Sequence, residues 1–272
     1  MAIITISRGP YSRGKEIANG VAQRLGYRCI AREVVLDASK EFNIPESRLV
    51  RAVHDAPSLL DKNSSGKEKY IAYFRAALLK QLQQDNVVYH GLAGHFFLKG
   101  VRHALKVRIL ANMEDRIQVE MEREKVSREQ ALRNLKADDA ARRKWSLDRY
   151  GIDPSDPSLY DLVISTRKTS TDEIADMICK VVGLDRFRTT EESQKTIVDM
   201  ALAAKVRACL MNIAPEVDVR AEDGFVKVSI GGSLEEEAQR AMEIQRAAEA
   251  VPGVKGVEIL EARIVKGVPY FS

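Results

Sequence analysis

Near its start the chain carries the run Ile3-Ile4-Thr5-Ile6, apolar or β-branched at every position. An unbroken run of this kind suits a strand buried on both faces of a parallel sheet. After the turn Ser7–Gly14 the pattern changes period. Ile17, Val21 and Leu25 recur at i, i+4 and i+8, joined by Ala18 and Ala22, which predicts a helix over Lys15–Leu25 stopped by Gly26. Helical spacing continues at 33–42, 45–53 and 68–83, interrupted by the polar Gly/Ser-rich stretch 61–69 (DKNSSGKEK), which reads as a mobile loop. Strand patterns follow at 86–92 and 105–110. A charged helix spans 113–125, and Ser127 with Gln130 forms a capping box for a long helix to about Arg149. A strand at 160–165 and a helix at 171–182, capped by Thr171, complete this part. Strands alternating with helices predict an α/β fold with a parallel sheet.

At 185–195 (DRFRTTEESQK) periodicity is lost, and the stretch reads as a linker. Beyond it the order is helix (196–212), strand (217–221), the turn Glu222-Asp223-Gly224, strand (225–231), helix (234–251) and strand (257–264). Asp-Gly between two alternating runs signals a hairpin. The expected organisation is therefore a domain over 1–184, a linker over 185–195, and a small α+β domain of order αββαβ over 196–272.

Composition narrows the class. Of 272 residues, 45% are hydrophobic and 30% charged, as in an ordinary globular protein. A net charge of +4 is too small to imply nucleic acid, but it suits anionic small molecules. The three cysteines, Cys29, Cys179 and Cys209, are dispersed without a CxxC pair, which argues for a reducing compartment. No apolar run reaches membrane-span length and the start lacks the pattern of a signal peptide, so the cytoplasm is the expected location.

The chemistry concentrates in Gly9-Pro-Tyr-Ser-Arg-Gly14-Lys15, a G-x-x-x-x-G-K match between a strand and a helix. Gly9 and Gly14 let backbone N–H groups face phosphate oxygens, the helix adds its positive end, and Lys15 reaches the β/γ-phosphates as a point charge. Ser7, Arg8, Ser12 and Arg13 add donors around the turn. Glu16 stands where a hydroxyl residue commonly binds Mg²⁺, and a carboxylate there could ligate the ion directly or through water. The same residues would also suit a tight surface turn, which the flanking strand and helix weigh against. A second cationic group, Arg142, Arg143 and Arg149, lies late in the long helix. It could close over a transferring phosphoryl group, with Asp139 and Arg142 pairing three residues apart. A solvated charged helix is the alternative.

ITISRGPYSRGKEIA, YHGLAGHFFL, VRILANMEDRIQ and DDAARRKWSLDRYGIDPSDPSLYDLVIST together resemble the cytidylate-kinase-like branch of the nucleoside-monophosphate kinases, over residues 1–183. The resemblance implies a P-loop kinase fold, a three-layer parallel sheet with a helical lid. It implies ATP and Mg²⁺ as cofactors and phosphoryl transfer to a nucleoside monophosphate such as CMP. Ser12, Gly14 and Lys15 fall in its phosphate loop, and Arg142 and Arg143 in its lid. Lys15, Arg142 and Arg143 are thus the expected catalytic residues. Gly9, Ser12, Arg13, Gly14, Lys15 and Glu16 are expected around ATP, with Glu16 on the metal. Arg32 and Gly91 are expected on the acceptor, which would enter between the lid and the helices of 33–80. Three departures stand out: Glu16 itself, Leu92 where relatives carry Arg, and Ala31-Arg32 where an Asp-Arg pair is usual. They also leave open a nucleotide-binding sensor that no longer transfers phosphate. His90 and His95, flanking Gly91, read as structural.

The C-terminal segment, with DGFV at 223–226 and VPGVKGV at 251–257, resembles a BON domain. That resemblance implies binding of phospholipid or another partner surface. A structural or dimerising appendage is the alternative, since an exposed sheet edge could pair with a second copy.

Overall fold

The computed structural model describes residues 1–54, 64–91, 93–231 and 238–262. In chain order the elements are β1 (Ile3–Arg8), α1 (Gly14–Leu25), β2 (Arg28–Ile30), α2 (Glu33–Phe42), α3 (Glu46–His54), α4 (Ser64–Leu82), β3 (Val87–Tyr89), α5 (Gly94–Phe97), β4 (Ala104–Leu110), α6 (Met113–Glu124), α7 (Arg128–Tyr150), β5 (Leu162–Ser165), α8 (Thr171–Val182), α9 (Glu191–Leu210), β6 (Asp218–Glu222), β7 (Phe225–Gly231), α10 (Ala238–Glu249) and β8 (Gly256–Ala262). They fall into two compact units. The first is Met1–Glu33, Val53–Pro57 and Gln84–Thr190, and the second Val34–Ala52, Ser58–Gln83 and Glu191–Ser272. The second unit thus takes in most of α2 and of α3 together with α4, which the sequence pattern groups with residues 1–184.

The first unit holds a five-stranded, all-parallel sheet of order β2-β3-β1-β4-β5, the α/β fold expected. β1 lies at its centre, with Ile3 beside Val87 on one side and Ala104 on the other. Its alternation sends Ile4 and Ile6 to one face, where they bury with Ile17 and Val21 of α1 and Ile174 and Ile178 of α8. The opposite face carries Ile3, Tyr89 and Phe97, all fully buried. Central burial of β1 matters for function, because it fixes where the loop after Arg8 emerges.

Caps set the helix ends. Gly26, at φ 67°, closes α1 by donating to Ala22 and Gln23 carbonyls. Ser127 accepts from the Gln130 amide as expected, but the Gln130 side chain reaches Asn134 instead of returning to the cap. Ser170, not Thr171, caps α8, and it does so with Glu173 in a full capping box. Thr171 is the first helical residue, and its hydroxyl is free to serve elsewhere.

In the second unit β6 and β7 form the expected hairpin, with Asp223 and Gly224 both at positive φ, and β8 joins β7 in parallel. Val206, Leu210, Val226, Val228, Ile230 and Ile244 build its core under α9 and α10. α4 packs along α9. Phe42 stacks on Tyr73 at 4.2 Å within the same unit. α9 starts at Glu191, so part of the stretch read as linker is helical, and α4 starts at Ser64, inside the stretch read as a loop. Residues 61–63 and Leu92 lie outside the described residues. No helix among the described residues is long and apolar enough to cross a membrane.

Candidate phosphate-binding site

The turn after β1 is held in a conformation that side chains normally avoid. Tyr11 and Arg13 both take left-handed backbone, at φ 55° and 56°, which costs on the order of 1 kcal/mol each. Two contacts secure it. The Ser12 hydroxyl, 1% exposed, donates to the Gly9 carbonyl at 3.0 Å, and the Ile17 amide donates to the Arg13 carbonyl at 3.1 Å. Successive residues of alternating hand turn their N–H groups to one side, making a concavity for anions. Arg13 at the N-cap of α1 supplies no side-chain acceptor for the first helical N–H groups.

Of the two motif glycines, Gly14 is required by an arginine, while Gly9 has room for a Cβ in ordinary contact with another. A Cβ on Gly14 would lie 2.1 Å from Cδ of Arg8, and one on Gly9 would meet the Arg116 guanidinium at 3.6 Å. Arg8 is largely buried, and its Nε has no hydrogen-bond partner. Burial, then the nearby Arg142 charge, pulls its pKa down from the ordinary arginine value. A buried cation with an orphaned donor and a cationic neighbour is a site that an anion would complete.

α6 and α7 bring the remaining charge. Asn112 caps α6, accepting from the Glu114 amide at 3.1 Å, and so places Arg116 one turn in. Arg116 is 7% exposed. It donates from Nε to the Pro10 carbonyl at 3.0 Å and forks onto Asp139 at 2.8 and 2.9 Å. The pairing expected between Asp139 and Arg142 is therefore not formed. Arg142 instead takes Asp138, four residues back, at 2.9 Å, and donates to the Arg8 carbonyl at 3.3 Å. Asp138 rather than Asp139 has the i, i+4 separation that suits a helix pair, which leaves Asp139 to α6. Arg143 binds Asp153 at 2.8 Å, and this bond, with those from Ser155, holds the Asp153 carboxyl well below the usual range.

These groups enclose a cavity of about 330 Å³ beside the loop. Arg8, Arg108, Arg116, Arg142 and Arg143 face it, against the carboxylates of Asp139 and Asp153. Of the residues expected from sequence, Gly9, Ser12, Gly91, Arg142 and Arg143 line this cavity. Lys15 and Glu16 sit in the first turn of α1, outside its wall. Lys15 lies in electrostatic range of Cys29, Glu33 and His90. Arg32 is exposed just before α2, where the Ala31 amide donates to the Glu33 carboxylate at 2.7 Å. Gly91 is fixed by Tyr89, whose hydroxyl would lie 2.1 Å from an added Cβ.

Glu16 accepts from the Thr171 hydroxyl at 2.9 Å. Among the described residues no three His, Cys, Asp or Glu side chains gather as a metal cage. Glu16 is the loop carboxylate that could stand beside a Mg²⁺ held mainly by phosphates and water, the usual habit of this ion.

Arg108 and Arg116 were not legible from the motif. Arg116 sits in a helix that reads simply as charged, and its one signal is the Asn112 cap that fixes its phase. Arg108 lies mid-strand and donates to the Tyr160 hydroxyl at 3.1 Å; that hydroxyl also contacts His95 Nε2 at 3.3 Å and donates to the Pro154 carbonyl at 3.0 Å. His95 is pushed down to about 3 by burial, then by Arg108 and Lys106, and is a neutral structural group. His90 is lowered too, by burial and then Arg8, and its Nδ1 has no partner.

The model of the cytidylate kinase-like family matches residues 3–168. Cytidylate kinase of Methanocaldococcus jannaschii is 31% identical over 183 residues, covering 66% of this chain and 97% of that protein. Cytidylate kinase of Methanopyrus kandleri is 25% identical over 180 residues, covering 63% and 88%. The solved structure of an uncharacterized protein from Eubacterium ventriosum ATCC 27560 matches with a TM-score of 0.51 at 20% identity, covering 67% of this chain and 98% of that one. It shares the fold. With the family model spanning more than half of it, the chain belongs to the cytidylate kinase-like family.

Proposed function

We propose that residues 1–184 form an ATP-dependent kinase domain that transfers a phosphoryl group to a nucleoside monophosphate, with a CMP-like acceptor. The observation that carries this reading is the cavity where Arg8, with its orphaned buried donor, meets four further arginines at the end of a phosphate-loop motif. Such a site neutralises the charge of a transferring phosphoryl group, which is most of what the reaction needs.

Each residue has a task. The loop N–H groups of Gly9 and of residues 11–14, together with Lys15, bind the donor phosphates, and Arg13 and Ser12 hold the loop shape. Arg142, braced by Asp138 and the Arg8 carbonyl, keeps its guanidinium at the cavity, and Asp153 braces Arg143 in the same way. Arg116 ties α6 and α7 to the loop through Pro10, so the arginine cluster and the phosphate loop keep register. Arg32 and Gly91 face the acceptor. Glu16 would stand beside Mg²⁺, which when bound with ATP would help neutralise the donor phosphates. The remaining assignments follow the resemblance: a cytoplasmic enzyme whose residues 196–272, BON-like in sequence, meet a phospholipid surface or a partner.

One observation favours a second reading. Glu16 is engaged by Thr171 instead of projecting alone at the loop, as would suit a nucleotide sensor without transfer. A coupled assay with ATP, Mg²⁺ and CMP, UMP, dCMP or AMP separates the two. Turnover above background supports the kinase, whereas tight ATP binding with no turnover on any monophosphate supports the sensor.

A further inference from the structure

The second unit contains a cavity larger than the one at the phosphate loop, about 720 Å³, walled by α4, α9, the end of α2, the β6–β7 turn and the loop before β8. Its size lies within the roughly 300–1,000 Å³ of small-molecule sites. The space exists because the two long helices face it with small residues, Ala76 from α4 and Ala201 from α9, both buried. Val198, Leu202 and Pro252 extend this apolar floor. Opposite it, the wall is fixed by backbone. The Lys255 amide donates to the Gly224 carbonyl at 2.8 Å, and Gly224 and Gly253 take φ of 86° and 97°. A Cβ on Gly224 would stand 3.0 Å from the Gly253 carbonyl oxygen, so turn and loop are in close contact without ligand.

The charged rim is biased towards cations. Lys80 and Lys205 share a single carboxylate, that of Glu41, with Lys80 at 3.1 Å. Lys195 is matched by Asp223 at 2.6 Å. Lys255 has no ion pair among the described residues. Asp199 is the remaining carboxylate, so four lysines stand against three carboxylates around the cavity. An apolar floor beneath surplus ammonium groups has the chemistry of an amphipathic anion site.

We propose that this cavity binds a small organic anion with an apolar body, its ring or chain on Val198, Ala201 and Leu202 and its acidic group towards Lys205 and Lys255. Neither the kinase chemistry nor the family match uses these residues. Acyl carboxylates and nucleotides both have this chemistry, and competition tells them apart.

The test uses the full chain and the fluorescent probe 1-anilinonaphthalene-8-sulfonate, an apolar-bodied sulfonate. The expected result is saturable binding of one equivalent, weakened tenfold or more in both Val198→Trp, which fills the cavity from its exposed side, and Lys255→Glu, which reverses the charge at that position. Binding is expected to persist in Lys15→Ala, so that a failed kinase reading leaves this result intact. Displacement by decanoate assigns an acyl carboxylate, and displacement by CTP a nucleotide; either supports the site. Displacement by neither, no saturable binding, or equal binding in the wild type and both variants overturns it.

Discussion

Arg116 is the most informative single perturbation, because it joins the α6–α7 pair to the phosphate loop. Its guanidinium is buried and makes three directed bonds, two to Asp139 and one to the Pro10 carbonyl. Replacing it with Met keeps the apolar stem and removes all three. A hydrogen bond to a charged group contributes about 1.5–3 kcal/mol. Asp139 is 39% exposed and recovers water once released, which places the expected cost near the low end, at about 2 kcal/mol. Asp139→Asn keeps one acceptor and should cost about 1 kcal/mol, and the double variant should show coupling of about 1 kcal/mol. The sole tryptophan, Trp145, lies buried on α7 six residues beyond Asp139. Urea unfolding followed by its fluorescence therefore reports on this part of the molecule. Coupling below about 0.3 kcal/mol, with both single variants within about 0.5 kcal/mol of the wild type, would refute the fork as an organising contact.

Three other outcomes follow from the geometry. Gly14→Ala forces Arg8 from its place, since the new Cβ would lie 2.1 Å from Cδ; ATP affinity should fall tenfold or more by calorimetry, and unchanged affinity would sink the packing argument. Lys15→Ala should abolish turnover while leaving the unfolding midpoint within experimental scatter, as a first-turn lysine carries little stability; a variant that keeps full activity would mean the loop is misread. His95 binds a proton in the unfolded chain below pH 6.5 but in the folded chain only near 3, so its contribution to stability is complete above 6.5 and is lost progressively towards 3. From pH 7.5 to 5.0 the loss from this residue should be about 2 kcal/mol, with His90 and His103 acting in the same direction. Urea midpoints at the two pH values check this, and a His95→Gln variant with an undiminished pH dependence would contradict the assignment.

The parts of the fold that sequence makes legible are those specified locally. The run Ile3–Ile6, the periodic face of α1 and the Asp223-Gly224 turn each encode their own geometry, and all three are in place. β2, three residues long and paired with β3 at the edge of the sheet, is too short to have a period. Partner choice was the least legible. Asp138 and Asp139 are adjacent, and helix spacing alone cannot see that Arg116, 23 residues earlier, claims the second. Glu16 meets Thr171 across 155 residues, and Arg108 meets Tyr160 only because β4 and β5 are neighbours. The placement of α4 along α9 is likewise a matter of tertiary packing, not of composition at 185–195.

The central claim is that the arginine-lined cavity at the phosphate loop serves phosphoryl transfer to a nucleoside monophosphate. Its most direct test is the appearance of labelled CDP from γ-labelled ATP, Mg²⁺ and CMP, run in parallel with Arg142→Ala. The wild type is expected to form CDP, with a loss of at least a hundredfold in kcat when this guanidinium is removed. CDP formed at the same rate by both proteins, or no labelled product from any monophosphate while ATP still binds, would contradict that claim.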